Sequence, residues 1–322
     1  MVILFIHVDD TTVTGSSSRL VEDYEQRIGK VFNITHLGPV SWLLGLNTTR
    51  DRSKQTLSLS QETYINSVIR RFNLEDAKPI SSPIDSNTRL SKDDSPTSAN
   101  DKEEMKKLPY RELIGALNWV AVGTRPDIAF VMSQLAQYLE NPSRVHWEAV
   151  KRVVRYLKTT KSLKLTYGDG ERCGFEGFTD ADGATQDHRC AISEFVVLVD
   201  GGAVSWSLKK QELVTLSTME AEYVGATHAA KELIWFHHLI GEIFWPLSNP
   251  TVLHLDNQSV IALANSDGQF HACSKHIDIR YHFIKFAVQD GTIALFYCPT
   301  ENMVADILTK SVPLIKHILL MA

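Results

Sequence analysis

Four acidic residues constrain how the C-terminal half of this chain can fold, because each lies in its own local context. Asp180 and Asp256 each follow an apolar, strand-like run, whereas Glu220 and Asp306 begin or lie within helical patterns. They therefore come from separate elements, which the fold must bring together. Four converging carboxylates can hold two divalent cations, so the pattern indicates a metal-dependent nuclease.

The composition is that of an ordinary globular protein. The chain has 322 residues, enough for two or three domains, with 43% hydrophobic and 22% charged residues. A net charge of −5 excludes a uniformly basic nucleic-acid coat, so any contact with nucleic acid must be local. No apolar run approaches the roughly 18 residues that span a bilayer, and the cysteines lack zinc-ligand spacing. We expect an intracellular protein, cytoplasmic or nuclear, that is not inserted in a membrane.

The order of strand-like and helical patterns predicts four segments. Residues 1–78 alternate short strands with helices, as in an α+β piece. Residues 79–107 are rich in proline and polar residues, which predicts an exposed linker. Residues 108–168 are helical, and residues 171–313 have the strand and helix order of a mixed sheet with helices packed on it. The predicted fold class is therefore mixed α+β and α/β.

The last helix before the predicted sheet is strongly basic. Residues 144–164 contain seven Lys or Arg and one acid, Glu148, so the local balance is seven minus one, or +6. One interpretation is a solvated helix face. The other is a track for a phosphate backbone, because such contacts supply sequence-independent affinity for nucleic acid. The candidate nucleic-acid-binding residues are Lys151, Arg152, Arg155 and Lys158.

Short motifs in a consistent order cover nearly the whole chain. Asp180-Ala-Asp182, Leu216-Ser-Thr-Met-Glu-Ala-Glu-Tyr223 and Ala305-Asp-Ile-Leu-Thr-Lys310 resemble the ribonuclease H domain of copia-type LTR-retrotransposon Pol polyproteins. Upstream, Thr124-Arg-Pro-Asp-Ile-Ala129 resembles the connecting region of the same polyproteins. His7-Val-Asp-Asp10 resembles the end of the reverse-transcriptase palm.

The resemblance implies a ribonuclease H-like mixed sheet with flanking helices, preceded by a helical connecting region and a truncated palm and thumb piece. It also implies catalytic carboxylates that bind two Mg²⁺ ions, with Mn²⁺ as an alternative. The implied reaction is cleavage of the RNA strand of RNA–DNA hybrids. Carried over position by position, these carboxylates are Asp180, Glu220, Asp256 and Asp306.

Two neighbouring glutamates compete for one of these positions. Glu220 and Glu222 lie about 200° apart around a helix, so they cannot both face the site. The family pattern selects Glu220 and leaves Glu222 solvated. A similar preference favours Asp180 over Asp182.

The N-terminal part resembles only a portion of a polymerase. Asp9 and Asp10 at a hairpin turn supply two carboxylates of a vestigial polymerase site. A further aspartate and the fingers are expected upstream, so we predict no DNA synthesis by this chain alone. The missing part of a Pol polyprotein, or a second subunit, is the partner that this prediction implies.

Two departures from the family pattern leave a second function open. The family usually has a tryptophan at the position of Gly183 and a glycine at the position of Glu194. Glu194 would strain the turn there if the position needs a positive φ. A catalytically inactive retroelement remnant that at most binds nucleic acid is therefore the alternative to a working ribonuclease H.

Overall fold

The computed structural model describes most of the chain, and the described residues form three β-sheets with helices packed against them. It describes residues 1–85, 88, 90–168, 174–182, 190–212, 214–215, 217–244, 247–266 and 275–309. The strands are β1 (Val2–His7), β2 (Asp10–Gly15), β3 (Trp42–Leu43), β4 (Leu46–Asp51), β5 (Thr56–Ser60), β6 (Leu165–Tyr167), β7 (Phe175–Asp182), β8 (Ile192–Val199), β9 (Gly202–Lys210), β10 (Thr251–Leu255) and β11 (Ile293–Tyr297). The α-helices are α1 (Ser18–Ile28), α2 (Glu62–Arg71), α3 (Ala99–Lys106), α4 (Tyr110–Gly123), α5 (Ala129–Ala136), α6 (Arg144–Thr160), α7 (Thr218–Ile243), α8 (Gln258–Asn265), α9 (Lys275–Gln289) and α10 (Asp306–Thr309).

The first sheet is a two-stranded hairpin of β1 and β2, against which α1 packs. Its register pairs His7 with Asp10, so Val8 and Asp9 form a two-residue turn. Val8 has a φ of 53°, in the left-handed region that β-branched residues avoid. Asp9 and Asp10 are exposed at the tip, which confirms the predicted hairpin placement of the two carboxylates.

The second sheet joins distant parts of the sequence. It is four-stranded with the order β3-β4-β5-β6, and β6 pairs with β5 so that Leu57 lies opposite Tyr167. Helix α2 contributes Ile65, Val68 and Ile69 to the same hydrophobic core as α4, α5 and α6. Residues 42–71 and 110–167 therefore share one sheet and one core, and the predicted separation of residues 1–78 from residues 108–168 is wrong.

The prediction of an exposed linker over residues 79–107 is wrong for part of that segment. Within residues 79–107, Ile80, Ile84 and Leu90 pack against the core formed by α2, α4, α5 and α6, and Pro83 is buried. The polar composition of this segment hid a few apolar residues at the positions that face the core. Residues 75–84, which include the start of this segment, thus form a strap across the helices.

The third sheet is the mixed sheet that the resemblance implies, and the prediction of its class is confirmed. Its order is β11-β10-β7-β8-β9, with β7, β8 and β9 antiparallel and β10 parallel to both β7 and β11. Strand β8 is buried on both faces: Phe195 and Val197 join the core under α7, α8 and α9, whereas Val196 and Leu198 join the core under α10. The predicted limits of this segment, residues 171 and 313, lie outside the residues that the structure describes.

The connecting helices cover one face of the mixed sheet. Trp206 on β9 donates its indole N–H to the carbonyl of Ala121 on α4 over 3.1 Å. Ala129 and Leu165 pack against the core under α10. Tyr167 donates its hydroxyl to the carbonyl of Ala203 over 2.9 Å. In the part of the chain described here, no helix combines the length and apolarity needed to cross a bilayer.

Candidate metal centre

Three carboxylates from three different elements converge at one edge of the mixed sheet. Asp180 lies on β7, Glu222 on α7, and Asp256 directly after β10. One ligand oxygen from each lies within 4.8 Å of the other two. Asp180 and Glu222 are each 5% exposed, and Asp256 is half-buried. The cluster is therefore sheltered on one side and open on the side of Asp256.

Sheet register places the two aspartates together. Strands β7 and β10 are parallel neighbours, and His254 pairs with Phe178. Two residues further along each strand come Asp256 and Asp180, so their side chains meet at the carboxyl ends of the two strands. This confirms that these two predicted residues come together. A hydroxyl hydrogen bond of 3.2 Å from Thr300 to Oδ2 of Asp256 helps to orient the second aspartate.

The third carboxylate is Glu222, where the sequence predicted Glu220. Glu222 is 5% exposed, so the expectation that it is solvated is wrong. Glu220 lies in the first turn of α7, is half-buried, and is not part of the cluster. The two positions are indeed on different helix faces, but the face that meets the sheet belongs to Glu222.

A glycine one turn further along α7 explains which face meets the sheet. A Cβ atom at Gly225 would lie 3.3 Å from the carbonyl oxygen of Asp180 and 3.4 Å from the Cβ atom of Ala181. Residues three apart on a helix share a face, so the close approach at Gly225 also carries Glu222 to the sheet. Gly225 lies three positions after Glu222, and this glycine is the sequence signal that identifies the helix face.

Substitution of Gly225 tests this close approach. Gly225→Val is expected to lower the free energy of unfolding by about 1–3 kcal/mol, because the new methyl groups have no room against β7. The matched control is Gly115→Val on α4, where no atom lies within 4 Å of an added Cβ. Denaturant unfolding of both variants measures the difference. Equal stability of the two variants would contradict the packing described here.

The fourth predicted carboxylate, Asp306, lies at the first position of α10 and is 0% exposed. Its neighbours in the chain, Ala305, Ile307 and Leu308, belong to the core that includes Phe178 of β7 and Val196 of β8. It is not one of the three carboxylates within 4.8 Å of one another. Its part in metal binding stays a prediction.

Glu194 is a further acid beside the cluster. It is 0% exposed and lies directly opposite Asp180 in the antiparallel ladder of β7 and β8. Residues in such a pair project from the same face of a sheet. Glu194 is not among the residues with positive φ, so the strain expected at this position does not arise. Gly183 and the side chain of Asp182 lie outside the residues that the structure describes.

The donor set fits a divalent cation. All three groups supply carboxylate oxygens, which hard cations such as Mg²⁺ prefer. Carboxylates this close repel one another, and this repulsion costs free energy that a bound cation would offset. Two of the three are almost fully buried, which increases that cost. The acidic cluster thus indicates use of a divalent metal ion.

The basic residues of α6 make contacts within the protein that the sequence did not predict. Lys158 donates to the carbonyls of Glu75 and, over 3.0 Å, of Ala77. Arg155 donates to the carbonyl of Lys78 over 2.6 Å.

The same pattern continues along α6. Arg152 donates to the hydroxyl of Ser82 over 3.1 Å. Lys151 pairs with Glu148 on its own helix at 2.7 Å. Three of the four side chains therefore fasten the strap of residues 75–84, and nucleic-acid binding by this face remains only a prediction.

Substitution of one basic residue that contacts the strap distinguishes a structural role from nucleic-acid binding. Lys158→Met is expected to lower the free energy of unfolding by about 1–2 kcal/mol, because two strap carbonyls lose a charged donor. Arg144→Met removes the same charge from an exposed position at the start of the helix and is expected to change stability by less than about 0.5 kcal/mol. Denaturant unfolding gives both values. A weaker salt dependence of nucleic-acid binding in Lys158→Met, with unchanged stability, would instead support a phosphate track.

Comparison with known proteins gives consistent matches. A family model described as reverse transcriptase (RNA-dependent DNA polymerase) matches residues 1–86. The chain is 39% identical over 313 residues to the "Retrovirus-related Pol polyprotein from transposon TNT 1-94" of Nicotiana tabacum, which covers 97% of this chain and 23% of that protein. It is 30% identical over 231 residues to a "Putative transposon Ty5-1 protein" of Saccharomyces cerevisiae, with 71% of this chain and 72% of that protein covered.

Among solved structures, a ribonuclease H1 isolated from compost by a metagenomic approach matches with a TM-score of 0.33 and 16% identity, covering 42% of this chain and 93% of that chain. The chain spans less than a quarter of the tobacco Pol polyprotein, 23% of its length.

Proposed function

Because the chain belongs to the family of retrovirus-related Pol polyproteins of copia-type transposons, we propose that it cleaves the RNA strand of RNA–DNA hybrids with divalent metal ions. The observation that carries the proposal is the convergence of Asp180, Glu222 and Asp256 at one edge of the mixed sheet. This geometry brings together oxygen ligands from β7, α7 and the end of β10. Asp306 is a fourth ligand in the proposal.

The protein's part in the reaction is to hold the metal ions, and so their positive charge, in a fixed position. Asp180, Glu222 and Asp256 would hold two Mg²⁺ ions, or Mn²⁺ in their place. Metal ions held by these residues would supply an activated water and charge stabilisation for the leaving 3′ oxygen of the scissile phosphate. Asp180 and Glu222 are fixed by burial between β7 and α7, so their oxygens need little rearrangement. Asp256 is more exposed and faces the side from which a phosphate can approach.

Hybrid selectivity follows from the chemistry of the substrate. An RNA strand carries a 2′ hydroxyl, which is both a donor and an acceptor and distinguishes RNA from DNA. Duplex shape is then sufficient to identify a hybrid without reading its sequence. The expected partner is thus an RNA–DNA hybrid of any sequence.

The hairpin of β1 and β2 belongs to a separate proposal. Asp9 and Asp10 would contribute two carboxylates to a polymerase site whose other parts come from elsewhere in a Pol polyprotein or from a second subunit. Their exposed position at the hairpin tip supports this role, because such a site must reach a primer terminus.

The test is incubation of the purified chain with an end-labelled RNA–DNA hybrid in Mg²⁺. Duplex RNA and duplex DNA of the same sequence are the controls. We expect cleavage of the RNA strand of the hybrid alone. Cleavage of duplex RNA at a similar rate would refute hybrid selectivity.

A second candidate is a remnant that binds nucleic acid without cleaving it. Glu194 favours this candidate, because it places another buried acid directly opposite Asp180. The same assay decides between the two. A folded chain that shifts the electrophoretic mobility of the hybrid but leaves its RNA intact in both Mg²⁺ and Mn²⁺ is such a remnant.

A further inference from the structure

Two lysines lie at the same edge of the mixed sheet as the carboxylate cluster. Strands β7, β9, β10 and β11 all run in one direction, because β7 and β9 are both antiparallel to β8 and the other two are parallel to β7. Their carboxyl ends therefore share an edge. Lys209 and Lys210 are the last two residues of β9, and both are exposed.

The sheet register brings these lysines close to Asp180. Asp180 pairs with Glu194, and Glu194 pairs with Leu208. Lys209 and Lys210 thus lie one and two residues beyond the row that contains Asp180. The separation across two strands is about 10 Å, since neighbouring strands are about 4.8 Å apart. A nucleic-acid strand bound at the carboxylates is long enough to contact the lysines as well.

The two side chains lie on opposite faces of the edge. Successive residues of a strand alternate between faces, so Lys209 and Lys210 project to different sides. Lys209 is on the side of α7: burial lowers the pKa of His228 on that helix, and the positive charge of Lys209 lowers it further. The lysines therefore flank the end of β9 from both sides.

The charge of Lys209 is available to a ligand. Its ammonium lies 3.3 Å from the carboxylate of Glu212, and the two side chains are 61% and 80% exposed. Exposed pairs of this kind contribute little to stability and exchange readily with other partners. By contrast, Arg152, Arg155 and Lys158 of α6 are occupied by the strap of residues 75–84.

We propose that Lys209 and Lys210 bind phosphate groups of the nucleic-acid strand that lies across the carboxylate cluster. The inference rests on the proposed function and adds the residues that hold the backbone. Carboxylates repel the phosphates that must approach them, and the whole chain has a net charge of −5. Two cations beside the cluster offset that repulsion and release counterions from the bound strand. Glu212 competes with phosphate for Lys209.

The test measures binding of a fluorescent RNA–DNA hybrid to the full chain in EDTA, over a series of salt concentrations. The double variant Lys209→Gln with Lys210→Gln is expected to bind about tenfold more weakly, and its slope of log affinity against log salt is expected to be smaller by about 1.8, or 0.9 for each phosphate contact. The matched control, Lys102→Gln with Lys107→Gln, removes two exposed lysines outside the mixed sheet. Its affinity and slope should match those of the unaltered chain.

A second variant gives a change in the opposite direction. Glu212→Gln is expected to strengthen binding by about two- to threefold, because it frees Lys209. That gain should disappear when Lys209→Gln is added. Thermal unfolding of every variant should match that of the unaltered chain, which separates lost contacts from lost structure.

The outcomes distinguish this inference from the proposed function. Unchanged affinity and salt slope in the double lysine variant would overturn the inference, even if the chain cleaves hybrids. No measurable hybrid binding by the unaltered chain would overturn it as well. Lysine-dependent binding without any cleavage in Mg²⁺ would support the inference and reject the proposed function.

Discussion

Glu222→Gln is expected to lower the rate of hybrid RNA cleavage by about 1000-fold, whereas Glu220→Gln leaves it within about threefold of the unaltered rate. The substitution keeps the size of the side chain and removes one of three charges that face one another within 4.8 Å. Loss of a metal ligand costs about 4 kcal/mol of transition-state stabilisation, which is the predicted factor. Glu220 is on another face of α7 and outside the cluster.

The measurement is single-turnover cleavage of a labelled hybrid, with both variants at saturating protein. The two substitutions are chemically identical and two residues apart on one helix, so each is the control for the other. Circular dichroism establishes that both fold. A severe loss in Glu220→Gln with an active Glu222→Gln would reverse the assignment made from the structure.

Asp127→Ala is expected to lower the free energy of unfolding by about 3–5 kcal/mol, because it leaves a buried arginine without its counter-charge. Arg125 is 2% exposed and donates two hydrogen bonds to Asp127, of 2.8 and 2.7 Å. Burial alone lowers the pKa of Arg125, but the charge and hydrogen bonds of Asp127 raise it overall, so the guanidinium stays charged. The pair links the turn after α4 to α6, because Arg125 also donates to the carbonyl of Thr160.

Tyr156→Phe is the matched control for that prediction. The Tyr156 hydroxyl donates to the same carboxylate of Asp127 over 2.6 Å. Its removal costs only one hydrogen bond, about 1 kcal/mol, and leaves the ion pair in place. Denaturant unfolding compares the two variants. A loss below about 1 kcal/mol in Asp127→Ala would mean that Arg125 finds water or another acceptor and that the pair is not structural.

Strand patterns and the convergence of the two aspartates could be predicted from the sequence, whereas helical periodicity alone could not select the glutamate. Asp180 and Asp256 follow apolar runs, and parallel neighbouring strands bring such residues to the same edge. Helical periodicity separates Glu220 from Glu222 but does not say which face meets the sheet. That choice depends on Gly225, whose missing side chain lets α7 approach the backbone of Asp180.

The strap of residues 75–84 shows a second limit of sequence reasoning. Its proline-rich, polar composition is typical of a linker, yet Ile80 and Ile84 pack against the helical core. The basic residues of α6 satisfy its carbonyls, and this pairing joins positions far apart in the chain. Charge counts along one helix cannot distinguish a cation that binds phosphate from one that binds a distant carbonyl. Three of the four basic residues of α6 contact the strap, and the phosphate contacts proposed at the end of β9 are a separate prediction.

The most direct test of the carboxylate site is the heat of Mn²⁺ binding to the purified chain, measured by titration calorimetry beside Asp256→Asn and Glu222→Gln. The unaltered chain is expected to bind Mn²⁺ saturably in the micromolar to millimolar range, and each substitution should weaken that binding by about tenfold or more. Saturable binding that survives both substitutions, or a folded chain that binds no Mn²⁺ at all, would contradict a metal centre formed by Asp180, Glu222 and Asp256.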